Sequence, residues 1–487
     1  MQTSPIETAA TEMLSDLLKT ARRAHFIAIG GISMSGLARL LLSKGWQITG
    51  SDLADSETLT ELQRLGARVA VGHREKNLGE ADLVIFSDAI AQDNPELLAA
   101  KAKGIPVFRR SQLLGELTAG LRTIAVSGTH GKTTTTAMIA EMLSSAGLSP
   151  TMFLGGEYPP LGGNACIGTG AWAVVEACEA FASFLDLNPA IAVITNLEPE
   201  HMDYHGSEEA LKKAFISFLA RIKPGGTAVV NLDTPGLLYL AHRSGVLNTI
   251  GFTLQEEASI QTSGIETVFR ATKIVLQGAG SETVISRSGE PVARLKLQVP
   301  GRHNVANALA AISAASVAGI EPQAAADALQ QFLGVQRRFQ IIARKNGIMI
   351  VDDYAHHPTE LAAAIAAARG YFSGRLLVIF QPHLYSRTQF FMRDFARVLS
   401  AANLAWVTDI YPAREAPIPG VEAGKIAEIA NAEFGGKVAY LPFADVVPAV
   451  MQQLQEGDIV ITMGAGNVDR IARGLADVIS TNLSPER

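Results

Sequence analysis

Apolar and polar residues along the first hundred positions fall into short strand-like runs separated by longer helical ones. The pattern predicts a strand at 25–29, a helix at 33–44 and a second strand at 46–51. A helix near 56–65, a short strand at 68–71 and an apolar strand at 83–86 follow. Such alternation predicts a parallel sheet with helical crossovers. A break near 118–121 precedes a second block, with strands at 124–126, 172–176, 190–195 and 227–231 and a helix at 135–146. Over 251–299 the pattern turns to alternating Thr, Val and Ile, which predicts an antiparallel insertion in the central domain. Pro300-Gly301 ends it ahead of an Ala-rich helix, and a third block begins near Val335. Its predicted strands are 348–352, 376–380, 405–409 and 458–462. The expected fold is α/β, in three lobes at 1–119, 120–335 and 336–487, with ligands at the strand C-termini.

Composition narrows the class. A chain of 487 residues with 48% hydrophobic and 18% charged residues has ample material for several cores. A net charge of −6 without a dense basic run argues against a nucleic-acid partner. Cys166 and Cys178 are too few for a disulfide framework and fit a reducing cytosol. Residues 1–24 lack an apolar secretion core, and the longest apolar tracts, such as 308–320, are too short to span a bilayer. The expectation is a cytoplasmic protein with no membrane partner; the sequence sets no oligomeric state.

The chemistry concentrates in a few strings. Ser127-Gly128-Thr129-His130-Gly131-Lys132-Thr133-Thr134 lies between a strand and a helix. Glycines let backbone N–H groups approach phosphate oxygens, and the helix N-terminus adds a favourable dipole. Lys132 suits the outer phosphates of a nucleoside triphosphate and the Thr133 hydroxyl suits Mg²⁺, although Val126 stands where a standard P-loop has glycine. Glu176, Cys178 and Glu179 follow the strand residues 172–175, and Glu198-Pro199-Glu200-His201-Met202-Asp203-Tyr204-His205 lies past the strand at 190–195. Thr133 and Glu179 are hard-oxygen ligands of the kind Mg²⁺ takes, with His201 a softer one for a second metal. No second His/Cys cluster has zinc spacing.

His303, Asn304 and Asn307 open the Ala-rich helix, as caps or as readers of an adenine edge. In the third lobe, Asp352-Asp353-Tyr354-Ala355-His356-His357-Pro358 and Gln381-Pro382-His383-Leu384-Tyr385-Ser386-Arg387 follow successive strands. Arg387 suits bidentate recognition of carboxylate or phosphate. Seven of the ten histidines (130, 201, 205, 303, 356, 357 and 383) fall in these strings, which points to a polar cleft rather than a solvated surface. Near the N-terminus, Ala28-Ile29-Gly30-Gly31-Ile32-Ser33-Met34-Ser35-Gly36, with Asp52 downstream, resembles a dinucleotide fingerprint in which Ala28 and Ser33 replace the outer glycines. That weakens an NAD site and leaves room for another nucleotide diphosphate.

Taken in order, these strings resemble the Mur ligase family, its alanine-adding members in particular. Motifs at 30–36, 50–52, 93–96, 128–136, 176–179, 196–203, 300–307, 337–339, 352–360, 381–388, 411–415 and 464–467 carry the likeness across nearly the whole chain. The resemblance implies a Rossmann-like first lobe, a central P-loop-like ATPase sheet with an antiparallel insertion, and a Rossmann-like third lobe. It implies ATP, Mg²⁺, UDP-N-acetylmuramate and L-alanine as ligands, joined through an acyl phosphate. Position by position, Gly30, Gly31, Ser33, Met34, Ser35, Asp52 and Ser87 would hold the UDP-sugar. Gly128, Thr129, His130, Gly131, Lys132, Thr133 and Thr134 would hold the phosphates, and His303, Asn304 and Asn307 the adenine side. Asp352 or Asp353 would lie near the ribose. Thr133, Glu179 and His201 would be metal ligands, and Arg338 and Arg387 would neutralise phosphate and carboxylate. Tyr354, His356, His383 and Arg387 would border the amino-acid pocket, with Lys132, Glu179, His201, His356 and Arg387 the catalytic set.

Departures from the family pattern are Ala28, Ser33, Asp88, Glu200 and Leu384. Phe215 stands where sibling ligases carry a carbamylated lysine, so that modification is not expected. Alternatives are a recycling ligase that adds a whole peptide to the same sugar nucleotide, an NAD-dependent oxidoreductase, and a nucleotide-binding paralogue without turnover.

Overall fold

The computed structural model describes residues 5–256, 264–265, 267–413 and 415–481. Arg414 of the 411–415 motif, the side chain of Asp203, residues 1–4 of the N-terminal segment, and 257–263 and 266 of the expected insertion lie outside the described residues. The chain divides into two compact units. The first holds Met1–Thr272, Ile285–Ala293 and Ala306–Leu329; the second holds Lys273–Val284, Arg294–Val305 and Gln330–Arg487.

The first unit opens with a parallel five-stranded sheet of β1 (Arg23–Ile27), β2 (Gln47–Asp52), β3 (Arg68–Val71), β4 (Leu83–Phe86) and β5 (Val107–Arg109), in the order β3-β2-β1-β4-β5. The order reverses beside β1, so the loop after β1 opens at a topological switch point, where ligands of such sheets bind.

A second sheet is built on β6 (Arg122–Ser127), β7 (Thr151–Phe153), β8 (Ala165–Cys166), β9 (Trp172–Glu176), β10 (Ile191–Ile194), β11 (Thr227–Asn231) and β12 (Asn248–Thr253). It continues through β13 (Thr267–Gln277), β14 (Gly280–Arg287) and β15 (Glu290–Leu297), in the order β15-β14-β13-β12-β11-β10-β6-β9-β7-β8. The buried runs Ile124-Ala125-Val126 and Ala192-Val193-Ile194 place β6 and β10 at its centre. Because β10, β6 and β9 are adjacent and parallel, the loops after all three emerge side by side.

The expected antiparallel insertion begins later than the alternation implied. β12 runs parallel to β11, and Thr267–Arg270 of β13 pairs parallel with β12. Only after β13 do two-residue connections appear, one of them Ser288-Gly289 with both φ angles positive, the turn a tight hairpin needs.

The second unit carries β16 (Gln340–Lys345), β17 (Ile348–Asp353), β18 (Leu376–Phe380), β19 (Leu404–Val407), β20 (Val438–Tyr440) and β21 (Ile459–Met463), ordered β16-β17-β21-β18-β19-β20. β16 is an antiparallel edge and the rest are parallel. Separate apolar clusters, one around Phe380 and Phe395 and one around Leu475 and Ile471, cover its two faces. Both faces being buried explains why β18 reads as an unbroken apolar run and β21 as one interrupted only by Thr462.

Candidate active site

The phosphate-type loop leaves β6 at Ser127 and enters the helix Lys132–Ser145. Gly128 has φ 128° and Gly131 φ 79°, backbone that L side chains rarely adopt. A Cβ on Gly128 would collide with Thr195 Oγ1, and one on Gly131 with Asn307 Oδ1. The loop is therefore clamped from two sides, and Asn307 lies against it. Gly128→Ala is expected to destabilise the chain by about 2 kcal/mol or more and to weaken nucleotide binding, read by thermal melting and ATP titration.

Neighbouring strand ends supply the rest of the clamp. Asn196 accepts from His130 N at 2.8 Å and donates to His130 O at 3.1 Å, while Thr195 Oγ1 donates to the same carbonyl at 2.6 Å. Thr129 Oγ1 accepts from Glu198 N at 2.8 Å, and Glu198 Oε2 lies 3.4 Å from His130 Nε2. Lys132 folds back on the loop, donating to Gly128 O (2.6 Å), Thr129 O (3.0 Å) and Glu179 Oε1 (3.0 Å). Burial opposes its charge, but Glu179, Cys178 and Glu176 outweigh that and hold the ammonium above the ordinary lysine range.

Thr133 Oγ1 donates to Glu176 Oε2 at 2.7 Å, and that oxygen also accepts from Gly155 N at 2.9 Å. Glu176, absent from the expected site, is thus the first partner of the Thr133 hydroxyl. Glu179 is 1% exposed, with His201 Nε2 3.8 Å from its Oε1. His201 itself is left-handed, at φ 55°. Hydroxyl, two carboxylates and an imidazole around one lysine are a donor set that fits Mg²⁺ with its waters. Phe215 is wholly buried, edge-on to Phe184 at 5.2 Å, so that position belongs to the core.

In the first sheet's switch-point loop, Asp52 Oδ2 accepts from Gly30 N at 2.9 Å. Ala28 takes φ 65°, a conformation that costs a non-glycine residue about 1 kcal/mol. Ser33 is half-buried and Gly31 exposed, but Met34 and Ser35 point into the protein. Ser35 Oγ donates to Ile32 O and receives Asn164 Nδ2, so the side chains of Met34 and Ser35 pack inward from the first turn of the helix Ile32–Ser43. Ser87 Oγ accepts from Ala89 N in the turn after β4. Burial, partly offset by Arg109 and Arg110, pushes the neighbouring Asp88 carboxyl up.

Nearby lies a polar knot with no counterpart in the expected site. Glu96, fully buried, accepts from Ser51 Oγ (2.5 Å), Asn77 Nδ2 (2.6 Å) and Arg74 N (3.0 Å), and faces His25 Nε2 at 3.2 Å. Burial raises its pKa, but these hydrogen bonds overcome it and leave the carboxyl at about 2. A folded-state value below the unfolded 4.5 adds stability above pH 4.5 that is lost as pH falls toward 2. Glu96→Gln is expected to cost about 3 kcal/mol at pH 7 and much less near pH 2, measured by denaturation at a series of pH values.

In the second unit, Tyr354, His356, His383 and Arg387 do gather. His356 lies 5.4 Å from Tyr354 and 6.0 Å from His383, ring to ring. His383 stacks on Tyr411 at 5.7 Å, and Arg387 NH1 sits 3.1 Å from His383 Nδ1. A guanidinium only donates, so His383 accepts at Nδ1 and its neutral form carries the proton on Nε2. His356 Nδ1 faces Tyr354 O at 2.9 Å, which requires the opposite tautomer with the lone pair on Nε2.

Asp352 and Asp353 are both held by groups of the second unit. Asp352 is bound by Arg337 Nε (2.9 Å) and Thr462 Oγ1 (2.6 Å), and Asp353 by the backbone N–H groups of Phe339 and Ala355. Burial pushes Asp353 up to about 6. Arg337 also donates to Gly464 O and Gly466 O, tying three loops together. Arg338 stands over the Tyr354 ring at 5.1 Å, with NH1 3.9 Å from Glu360 Oε1. His303 is exposed beside Gly301. Asn304 Nδ2 donates to Pro300 O at 2.7 Å, closing the turn into its helix.

Known proteins carry the same arrangement. Residues 23–122 match the Mur ligase family catalytic domain, 126–315 the Mur ligase middle domain, and 337–466 the Mur ligase glutamate ligase domain. A protein of Renibacterium salmoninarum named UDP-N-acetylmuramate–L-alanine ligase is 43% identical over 462 residues, 94% of this chain and 96% of that one. One of Syntrophotalea carbinolica with the same name is 41% identical over 94% of this chain and 98% of its own length. The chain belongs to the Mur ligase family. The crystal structure of the Thermotoga maritima UDP-N-acetylmuramate–alanine ligase superposes with a TM-score of 0.81 at 28% identity, covering 95% of this chain and all of that one. A murein peptide ligase of Psychrobacter arcticus, 24% identical with a TM-score of 0.68, shares the fold.

In this Mur ligase, local strings point to the loop itself but not to its supports. Asn196 stands in the string past β10 and was legible as polar, not as a clamp. Glu360 shows the capping spacing with His357, whereas Arg337 stands in the 337–339 motif without an assigned role.

Proposed function

We propose that this Mur ligase is an ATP-dependent enzyme of peptidoglycan-precursor synthesis that joins L-alanine to the lactyl carboxylate of UDP-N-acetylmuramate. The observation that carries the reading is the Lys132 clamp on a glycine loop facing Glu176 and Glu179, in a chain about two-fifths identical to ligases of that name. A carboxylate oxygen attacks the γ-phosphorus, ADP leaves, and the neutral amine then attacks the acyl carbon and expels phosphate. Two anions meet in the first step, so Lys132 offsets charge that accumulates on the transferring group. Mg²⁺, held by Thr133 and Glu179 with His201 near a second ion, supplies further charge neutralisation when bound. Arg387 takes the alanine carboxylate. His356 Nε2 accepts the ammonium proton, since its tautomer leaves the lone pair there, while His383 orients Arg387.

Gly30, Gly31 and Ser33 hold the UDP-sugar at the first sheet's switch point, with the lobes at 1–119, 120–335 and 336–487 each bringing one substrate. The three sheets support that division. No helix among the described residues is long and apolar enough to cross a membrane. We place the enzyme in the cytoplasm, where ATP is available. The peptide-recycling reading has weaker support, in ligase structures of lower similarity than the alanine-adding one, and the relatives named above do not favour the oxidoreductase and non-catalytic readings. Phosphate release from ATP with UDP-N-acetylmuramate and L-alanine, glycine, L-serine or a murein tripeptide tests the assignment. The expected result is release that needs both the sugar nucleotide and L-alanine; release with the tripeptide alone overturns it.

A further inference from the structure

We propose that Arg110 binds the lactyl carboxylate of the sugar nucleotide and so selects N-acetylmuramate over sugars that lack the acid. The proposal rests on the ligase reading above and adds to it the residue that chooses the acceptor. Two consecutive arginines end β5 and begin the helix Arg110–Thr118. Arg109 is committed, its NH2 lying 3.1 Å from Asp186 Oδ1. The Arg110 guanidinium makes no hydrogen bond or ion pair with the described residues. Asp88, on the turn after β4, feels its charge, but burial outweighs both arginines and holds that carboxyl above its ordinary range.

Arg110 instead lines a cleft whose residues all belong to the first unit. Ser33, from the switch-point loop, and Glu176, the partner of the Thr133 hydroxyl, line the same cleft. A sugar nucleotide with its diphosphate at the switch point and its acid at the phosphate loop has to run through this space. Among the lining residues Arg110 is the one cation and Glu176 the one anion. An entering carboxylate is repelled by Glu176, and Lys132 is already engaged with Glu179 and two carbonyls of the loop. Arg110 supplies the missing positive charge, and its planar fork takes both carboxylate oxygens at once. Leu114, Phe153 and Leu154 form apolar wall beside it, which strengthens the pair by lowering the local dielectric. A sugar without the acid leaves the guanidinium unpaired, and that difference is the discrimination.

UDP-N-acetylglucosamine keeps the uridine, the diphosphate and the amino sugar and lacks only the lactyl group, so calorimetric titration of the full chain with it and with UDP-N-acetylmuramate isolates the acid. UDP takes its place if the wild type binds it too weakly to titrate. Arg110→Met is expected to weaken UDP-N-acetylmuramate by more than about tenfold and the acid-free ligand by less than about twofold. Arg110→Lys, which keeps the charge without the fork, is expected to fall between Arg110→Met and the wild type with UDP-N-acetylmuramate. A residue that merely supports the fold weakens both ligands alike. Circular dichroism establishes that each variant is folded; if Arg110→Met is not, the same comparison in Arg110→Lys decides. Equal losses for the two ligands move Arg110 to the diphosphate and overturn the proposal, as does unchanged UDP-N-acetylmuramate affinity in the folded variant. A wild-type chain that binds no UDP-N-acetylmuramate overturns the ligase reading and this proposal with it, whereas a wild-type preference for the muramate that survives Arg110→Met overturns this proposal alone.

Discussion

Lys132→Ala is expected to lower the rate of ATP-dependent ligation by about 10²-fold or more, since in the proposed reaction the group lost faces the phosphates where charge accumulates. Its present contacts show why the loss is not confined to chemistry. The ammonium satisfies Gly128 O, Thr129 O and Glu179 Oε1, and its removal leaves a carboxylate that is 1% exposed without its cation. A stability loss of about 1–3 kcal/mol should accompany the kinetic one. Melting curves establish whether the variant is folded, and single-turnover phosphate release then measures the chemical step. A folded variant within a few-fold of wild type would remove this loop from the reaction.

Much of the fold was legible because parallel strands buried on both faces leave continuous apolar runs. The strands at 68–71, 83–86, 172–176, 227–231 and 376–380 were read to the residue. β16 was missed: it is an edge strand, half-exposed, with an alternating pattern weak enough to pass for loop. β12 was misjudged because alternation marks one solvated face and says nothing of strand direction, which is set by the partner β11.

The same division holds for the site. A glycine loop between strand and helix is a local signal, so Gly128, Gly131 and Lys132 were found. Arg337, quoted only within the 337–339 motif, was given no role, because its partners Gly464 and Gly466 lie 127 and 129 residues away along the chain. The Glu96 knot was hidden for a related reason. His25 and His73, which face that carboxylate, stand outside the histidine-rich strings and meet only through the sheet. Asp352 and Asp353 were expected near a ribose from the resemblance alone; the hydrogen bonds that hold their oxygens come from residues distant or irregular in sequence.

Arg387→Lys is expected to raise the KM for L-alanine by about 10²-fold while ATP affinity stays within about twofold. Arg387 is 8% exposed on the first turn of the helix Tyr385–Leu399, with NH1 turned to His383 Nδ1. A guanidinium can keep that bond and still offer a parallel pair of N–H groups to a carboxylate. An ammonium has one point of charge, and a lysine there must give up either His383 or the substrate. Without the bond at Nδ1, the His383 tautomer is no longer fixed, so kcat should fall as well, more weakly than KM rises. Steady-state kinetics with L-alanine varied, beside direct ATP titration, separates the cases. Equal losses in ATP affinity would move Arg387 to the phosphate side of the reaction, and an unaltered kcat/KM for L-alanine would take it out of the site.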